Sequence, residues 1–127
     1  MRRAPRHLLL VLSCALVGSG VHPDPAWSHA VVTHATLRDT TIAAGSPSET
    51  TLEFNSAIEA KLAKVTLVDD RGSERPLALV PGEHPSNVLV VALPALAAGH
   101  YAIRYKVLAA DGHVTESTLR FQVAAPE

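Results

Sequence analysis

The strongest fold signal in the 127-residue chain is the stretch Tyr101-Ala102-Ile103-Arg104-Tyr105-Lys106-Val107-Leu108. Large apolar side chains alternate here with small or charged ones, and a period of two predicts a β-strand with one buried face. The preceding residues, 96–100, lead into Tyr101 in the manner of a tyrosine corner. In that feature of β-sandwiches, a tyrosine near a strand start hydrogen-bonds back to the chain upstream.

Six other segments have the composition of short strands and are separated by Gly, Pro and Asp turn signals. They span residues 31–37, 50–54, 65–68, 76–80, 88–93 and 118–123. Residues 57–64 favour one helical turn or a loop. Seven strands at this spacing predict an all-β fold, an antiparallel sandwich of two sheets. The inward-facing residues expected on two of these strands are Leu52, Phe54, Leu119, Phe121 and Val123.

Residues 1–28 have the pattern of an export signal. Three arginines are followed by an apolar run at 8–17 that is too short to cross a bilayer, and the small residues Ala26 and Ser28 fit a cleavage site. We therefore predict cleavage after Ser28, a single mature domain of residues 29–127, a periplasmic location and no membrane insertion after signal cleavage. The mature domain would carry a net charge of −3, which argues against nucleic acid as a partner.

The only cysteine, Cys14, lies within the predicted signal. The mature domain can therefore form neither a disulfide nor a thiolate metal site. An alternative reading is that Val11-Leu12-Ser13-Cys14 is a lipoprotein cleavage box. Lipidation of Cys14 would leave His29 inside the chain and remove its free amine.

Histidines are the residues best suited to chemistry, because no nucleophile motif and no phosphate-binding glycine loop is present. Cleavage after Ser28 would make His29 the first residue, with an α-amine and an imidazole that can chelate one metal ion. Asp111-Gly112-His113 follows the Tyr101–Leu108 strand, and residues i and i+2 of an extended chain project to the same side. Taken singly, Asp111-Gly112 is more typical of a plain hairpin turn with an exposed histidine, and His29 of a frayed terminus without function.

Several stretches of the mature domain together match one known pattern. They are His29-Ala30-Val31-Val32, Leu52-Glu53-Phe54-Asn55-Ser56, residues 96–101, residues 105–113 and Phe121-Gln122-Val123. On these stretches the chain resembles the CopC family of periplasmic copper-binding proteins over essentially all of residues 29–127. The resemblance implies a seven-stranded Greek-key β-sandwich of the Ig-like or cupredoxin-like kind.

The resemblance also implies one Cu(II) site. Its ligands would be the amine and imidazole of His29, the carboxylate of Asp111 and the imidazole of His113. Cu(II) prefers tetragonal nitrogen and oxygen ligands and heads the affinity order of the divalent first-row metals. An unperturbed α-amine has a pKa near ~8, so copper must displace its proton and binding should weaken in acid.

The chain departs from the family pattern at three places that bear on the site. The Glu that often follows the second-strand Phe is missing, because Phe54 is followed by Asn55, Ser56 and Ala57. Residues 29–127 contain no methionine, so we expect no second, Met-rich site for Cu(I). His34-Ala35-Thr36-Leu37 also looks like a family N-terminus, which makes His34 the rival for the first ligand. The small residue Ser28 before the cut favours His29.

The function expected is that of a periplasmic Cu(II) carrier or buffer in copper homeostasis or resistance, and not that of an enzyme. Candidate partners besides copper are an inner-membrane copper transporter or another periplasmic copper protein. One alternative is a copper-dependent oxidase or oxygenase with a histidine-brace site. Asp111 argues against it, because a bound carboxylate fills a position that catalysis needs open. The other alternative is an Ig-like interaction domain that binds no metal.

Overall fold

The computed structural model describes residues 29–126. Eight strands make up half of this part: β1 (Val32–Ala35), β2 (Ile42–Ala43), β3 (Ser48–Phe54), β4 (Lys64–Asp69), β5 (Glu74–Pro76), β6 (Val88–Leu93), β7 (Gly99–Leu108) and β8 (Val114–Ala124). One helical turn, α1 (Thr36–Asp39), and one 3-10 turn (Ala60–Leu62) complete it. No helix in this part of the chain is long and apolar enough to cross a membrane.

The strands form two sheets that face each other. One sheet has the order β1-β3-β6 and the other the order β2-β8-β7-β4-β5. All neighbouring pairs are antiparallel except β2 and β8, which pair in parallel over two residues. The predicted all-β, two-sheet fold is therefore confirmed, and the short parallel strand β2 is an addition to it.

The chain crosses from one sheet to the other at both sides of the sandwich. On one side, β1 at the edge of the first sheet leads through α1 into β2 at the edge of the second. On the other side, β5 pairs with β4, and the next few residues cross to β6, where the Val80 amide donates to the Val90 carbonyl at 2.8 Å. On each side of the sandwich, a continuous stretch of backbone therefore runs from the edge of one sheet to the edge of the other.

The core lies between the sheets and follows the alternation in the sequence. Ile103, Tyr105 and Val107 of β7 are buried, and so are all five residues that the sequence analysis placed inward on the second and last predicted strands. The rings of Phe54 and Tyr105, which come from opposite sheets, meet edge to face with centroids 5.4 Å apart. The predicted tyrosine corner is also confirmed, because the Tyr101 hydroxyl donates to the Ala97 carbonyl at 2.8 Å.

Several predicted boundaries differ from the structure. The predicted strand at residues 76–80 is wrong, because β5 ends at Pro76 and the chain then crosses towards β6 with only an isolated bridge between Leu79 and Val91. The first strand ends at Ala35 instead of residue 37, because Thr36 starts the turn of α1, where its carbonyl accepts the Thr40 amide at 2.9 Å. The Thr36 hydroxyl accepts the Thr51 amide at 3.0 Å, so a side chain replaces the strand ladder there. The last strand begins at Val114, earlier than residue 118. The predicted export signal and the alternative box at Cys14 lie outside the described residues.

Candidate metal site

The Asp111-x-His113 motif occupies the tip of the β7–β8 hairpin. The two strands pair continuously from Gly99 and Val123 at one end to Leu108 and Val114 at the other. The turn then closes on itself, with the Ala109 amide donating to the His113 carbonyl at 2.8 Å. Gly112 has a φ of +90°, a conformation that favours glycine. The hairpin thus presents the motif on a fixed backbone at one end of the sandwich.

Asp111 and His113 contact each other directly. The Asp111 Oδ1 atom accepts the His113 backbone amide at 3.0 Å, and the Asp111 Oδ2 atom lies 3.2 Å from His113 Nδ1. The backbone hydrogen bond from His113 is the main cause that lowers the pKa of Asp111 below its usual 3.8. Both side chains are well exposed, at 37% for Asp111 and 45% for His113. An ionised carboxylate and an imidazole therefore stand side by side within reach of a dissolved ion.

The segment that follows His29 is bound to the same end of the sandwich. The Ala30 amide donates to the Thr115 hydroxyl at 3.1 Å, and Ala30 itself is fully buried. The Val31 amide donates to Asn55 Oδ1 at 2.9 Å, and the Asn55 amide donates to the Val31 carbonyl at 3.0 Å. Thr115 lies two residues beyond His113, so the N-terminal segment enters beside the hairpin tip.

His29 is exposed and is the residue directly before the anchored Ala30. Within residues 29–126, no three His, Cys, Asp or Glu side chains are grouped closely enough to hold a metal ion. The structure therefore brings Asp111 and His113 into contact and brings the backbone beside His29 to the same hairpin. It does not bring the His29 side chain into a three-ligand cluster with them.

The remaining histidines lie elsewhere on the surface. His34, the rival first ligand, points to Asp39 with Nδ1 and Oδ2 3.4 Å apart. The His84 Nε2 atom lies 3.1 Å from the Val80 carbonyl in a loop. His100 is exposed near the start of β7, opposite Gln122 and at the far end from the hairpin tip. None of the three is in the Asp111–His113 pair.

The segment after Phe54, which lacks the family's Glu, is occupied by backbone contacts instead. The Ala57 carbonyl accepts the Ala110 amide at 2.9 Å, which ties this segment to the base of the hairpin turn. The Ser56 hydroxyl is buried and has no hydrogen-bond partner. Asn55 binds the backbone of Val31, as described above. This segment thus offers no carboxylate to a metal at the tip.

Sequence reasoning did not single out Thr115 or Asn55. Their partners lie 85 and 24 residues away along the chain, and no local pattern marks a contact of that range. A threonine or asparagine in an apparent strand or turn has many ordinary roles. The three-dimensional structure was needed to find them.

A comparison with protein families adds a decisive observation. Residues 32–124 match the family model described as the CopC domain. The chain belongs to the CopC family. The match covers β1 to β8 and includes both Asp111 and His113. The resemblance inferred from the sequence is thereby confirmed.

Relatives of this CopC-family chain are found among known sequences and solved structures. Protein YobA of Escherichia coli strain K12 is 26% identical over 123 residues, which is 95% of each chain, and Protein YobA of Shigella flexneri matches equally. The crystal structure of CopC from Methylosinus trichosporium OB3b has a TM-score of 0.66 at 25% identity, covering 78% of this chain and 97% of that one. PcoC, described as a methionine-rich copper resistance protein from Escherichia coli, has a TM-score of 0.51 at 23% identity, covers 76% and 99%, and supports the shared fold.

Proposed function

We propose that this CopC-family protein binds one Cu(II) ion in the periplasm and acts as a copper carrier or buffer in copper homeostasis or resistance. The ligands in this proposal are the amine and imidazole of His29, the carboxylate of Asp111 and the imidazole of His113. The main support is that the Asp111–His113 pair stands at the hairpin tip to which Thr115 binds the backbone of Ala30. Family membership and the copper resistance proteins among the structural neighbours point in the same direction.

The chemistry of the ligand set suits Cu(II). Three nitrogens and one carboxylate oxygen match its tetragonal preference, whereas a soft Cu(I) ion would favour the thiolates and thioethers that residues 29–127 lack. Asp111 supports the site because its lowered pKa keeps the carboxylate ionised. Binding displaces a proton from the terminal amine, so affinity is expected to fall as the pH is lowered.

The exposure of Asp111 and His113 favours transfer of copper over catalysis. Both side chains reach solvent, so a partner protein can approach the ion and exchange ligands with it. The Asp111 carboxylate would occupy a position that an oxygenase must keep open. In this proposal the protein takes up copper by chelation and hands it to a periplasmic or inner-membrane copper protein without turnover.

The test begins with the exported protein made from the full chain. Intact mass should show a start at His29, and a competition titration should show one Cu(II) bound. We expect His29→Ala and His113→Ala each to weaken binding by at least ~100-fold, in line with the loss of a chelating ligand. His100→Ala is the matched control, because His100 is exposed at the end of the β7–β8 hairpin that is far from Asp111 and His113. This variant should bind Cu(II) as wild type does.

Three results would contradict the proposal. A mature protein that starts elsewhere than His29 removes the amine ligand. Equal affinities for wild type and both alanine variants would place copper at a different site. A correctly processed wild type that binds no Cu(II) at neutral pH would instead favour an Ig-like interaction domain.

A further inference from the structure

The two amides that follow His29 are each held by a side chain from a different sheet. Thr115 belongs to β8 in the five-stranded sheet, and Asn55 directly follows β3 in the three-stranded sheet. Ala30 between these contacts is fully buried. The backbone therefore has little freedom from Ala30 onward, and His29 is the first residue beyond the two contacts.

Thr115 lies in the same row of side chains as His113. Side chains alternate along an extended strand, and the row that contains the buried residues Leu119, Phe121 and Val123 also contains positions 117 and 115. His113 continues this row immediately before β8. The hydroxyl that holds the Ala30 amide is thus on the same side of the chain as the imidazole that would bind copper.

We propose that Thr115 and Asn55 are positioning residues for His29, and that Thr115 keeps the Ala30 amide nitrogen from becoming a copper ligand. This inference rests on the proposed function, since it concerns how His29 chelates Cu(II). The hydroxyl of Thr115 and the amide oxygen of Asn55 hold the backbone directly after His29 beside the hairpin tip.

The choice between the His29 imidazole and the Ala30 amide nitrogen as copper ligand follows from the chemistry of peptide N-termini. Cu(II) bound to an N-terminal amine tends to displace the proton of the next amide and to close a five-membered ring with the resulting amidate. A terminal histidine offers a competing six-membered ring through its imidazole. In this protein the Ala30 N–H is buried and donates to Thr115. Releasing that proton to solvent would break the hydrogen bond and leave a buried charge, both of which are unfavourable.

The consequence is that the imidazole of His29 takes the second position beside its own amine. Asp111 and His113 would supply the remaining two ligands. Only the amine loses a proton when copper binds, and the Ala30 nitrogen keeps its own. Thr115 therefore specifies the mode of chelation without touching the metal.

The test compares Thr115→Val, which keeps the shape but loses the hydroxyl, with Thr115→Ser, which keeps the hydroxyl. We expect Thr115→Val to bind Cu(II) about 2- to 10-fold more weakly at neutral pH, as the loss of one backbone-directed hydrogen bond implies. Its visible absorption band should also move to shorter wavelength at a lower pH than in wild type, because an amidate nitrogen joins the copper. Thr115→Ser should restore the wild-type affinity and pH profile.

A second pair of variants tests the other contact. Asn55→Ala removes the acceptor for the Val31 amide, whereas Asn55→Asp keeps an oxygen at that position. Asn55→Ala should weaken Cu(II) binding by a similar factor, and Asn55→Asp should recover most of it. Circular dichroism of the metal-free variants checks that each is folded. A variant that is only destabilised would shift the visible absorption band of its copper complex at the same pH as wild type.

The outcomes separate this inference from the proposed function. If wild type binds Cu(II) through His29 but Thr115→Val shows the same affinity and the same pH profile, the positioning role is wrong and the copper site stands. The same holds if Thr115→Ser behaves like Thr115→Val. If wild type binds no Cu(II), both proposals fail together.

Discussion

At the scale of single residues, Asp111 combines a structural and a proposed chemical task. Its Oδ1 atom accepts the His113 amide and so shapes the turn, while its Oδ2 atom lies 3.2 Å from the His113 ring. The same carboxylate is a proposed copper ligand. Both carboxylate oxygens therefore already have a contact within the motif.

The ionisation of Asp111 can be measured in the metal-free protein. The backbone hydrogen bond from His113 lowers its pKa below 3.8, so the ionised form stabilises the folded turn at all pH values above that point. This contribution should be lost as the pH falls from 3.8 through the lower pKa of the folded state. A carboxyl-carbon NMR titration should give a midpoint below 3.8, with Asp111→Asn identifying the signal. A midpoint at or above 3.8 would show that the hydrogen bond does not form.

At the scale of elements, the β7–β8 hairpin dominates the site. It places Asp111 and His113 at its tip, provides Thr115 two residues further on, and reaches back to the tyrosine corner at its other end. The turn depends on Gly112, whose φ of +90° is strained for other residues.

Substitution of Gly112 tests the hairpin turn. An added Cβ at this position would meet no atom within 4 Å, so any cost comes from the backbone conformation. We expect Gly112→Ala to lower the free energy of unfolding by about 1–2 kcal/mol, and Gly112→Asn by less, because Asn tolerates positive φ better. Urea denaturation measures both. Copper affinity should fall in the same order, since the substituted residue lies between two proposed ligands; equal stability of wild type and Gly112→Ala would contradict this explanation.

The sequence predicted the elements best where an apolar run or an alternation extends over six or more residues. β6 was predicted with its observed bounds, and β7 and the facing residues of β3 and β8 followed from the period of two. β2 was missed because two residues, Ile42 and Ala43, show no period. The end of β1 was missed because Thr36 hydrogen-bonds through its side chain, which no propensity indicates.

The site was predicted unevenly for a similar reason. The contact between Asp111 and His113 is local, but it forms across a turn at Gly112 and not along an extended chain, as the i, i+2 spacing had suggested. The contacts of Thr115 and Asn55 with residues 30 and 31 join distant parts of the chain and became visible only in three dimensions. The identity of the first copper ligand depends on processing of residues 1–28, which the described structure does not include, and stays a prediction.

At the scale of the whole molecule, stability comes from one layer of apolar side chains between the sheets. Phe54 is 1% exposed and meets Tyr105 of the opposite sheet. In a domain of this size the total free energy of unfolding is expected to be about 5–15 kcal/mol. One large core side chain is therefore a substantial part of the whole.

Truncation of Phe54 should show this dependence. We expect Phe54→Ala to reduce the free energy of unfolding by about 3–5 kcal/mol, because it removes a buried ring and leaves a cavity. Leu62→Ala is the control, since Leu62 is 62% exposed and its loss should cost under about 0.5 kcal/mol. Chemical denaturation of the metal-free proteins compares the two. Similar losses for both variants would mean that the core does not lie between the sheets as described.

The short segments at the edges of the two sheets have a further consequence at high protein concentration. Exposed sheet edges invite other chains to add strands and so to form fibrils. Here the outermost segments are short: β1 has four residues and an irregular register with β3, β2 has two, and β5 has three and ends in Pro76. The segment beside β6 stops at Pro81. Such edges give an incoming strand little to pair with, so we expect the protein to resist aggregation through strand addition.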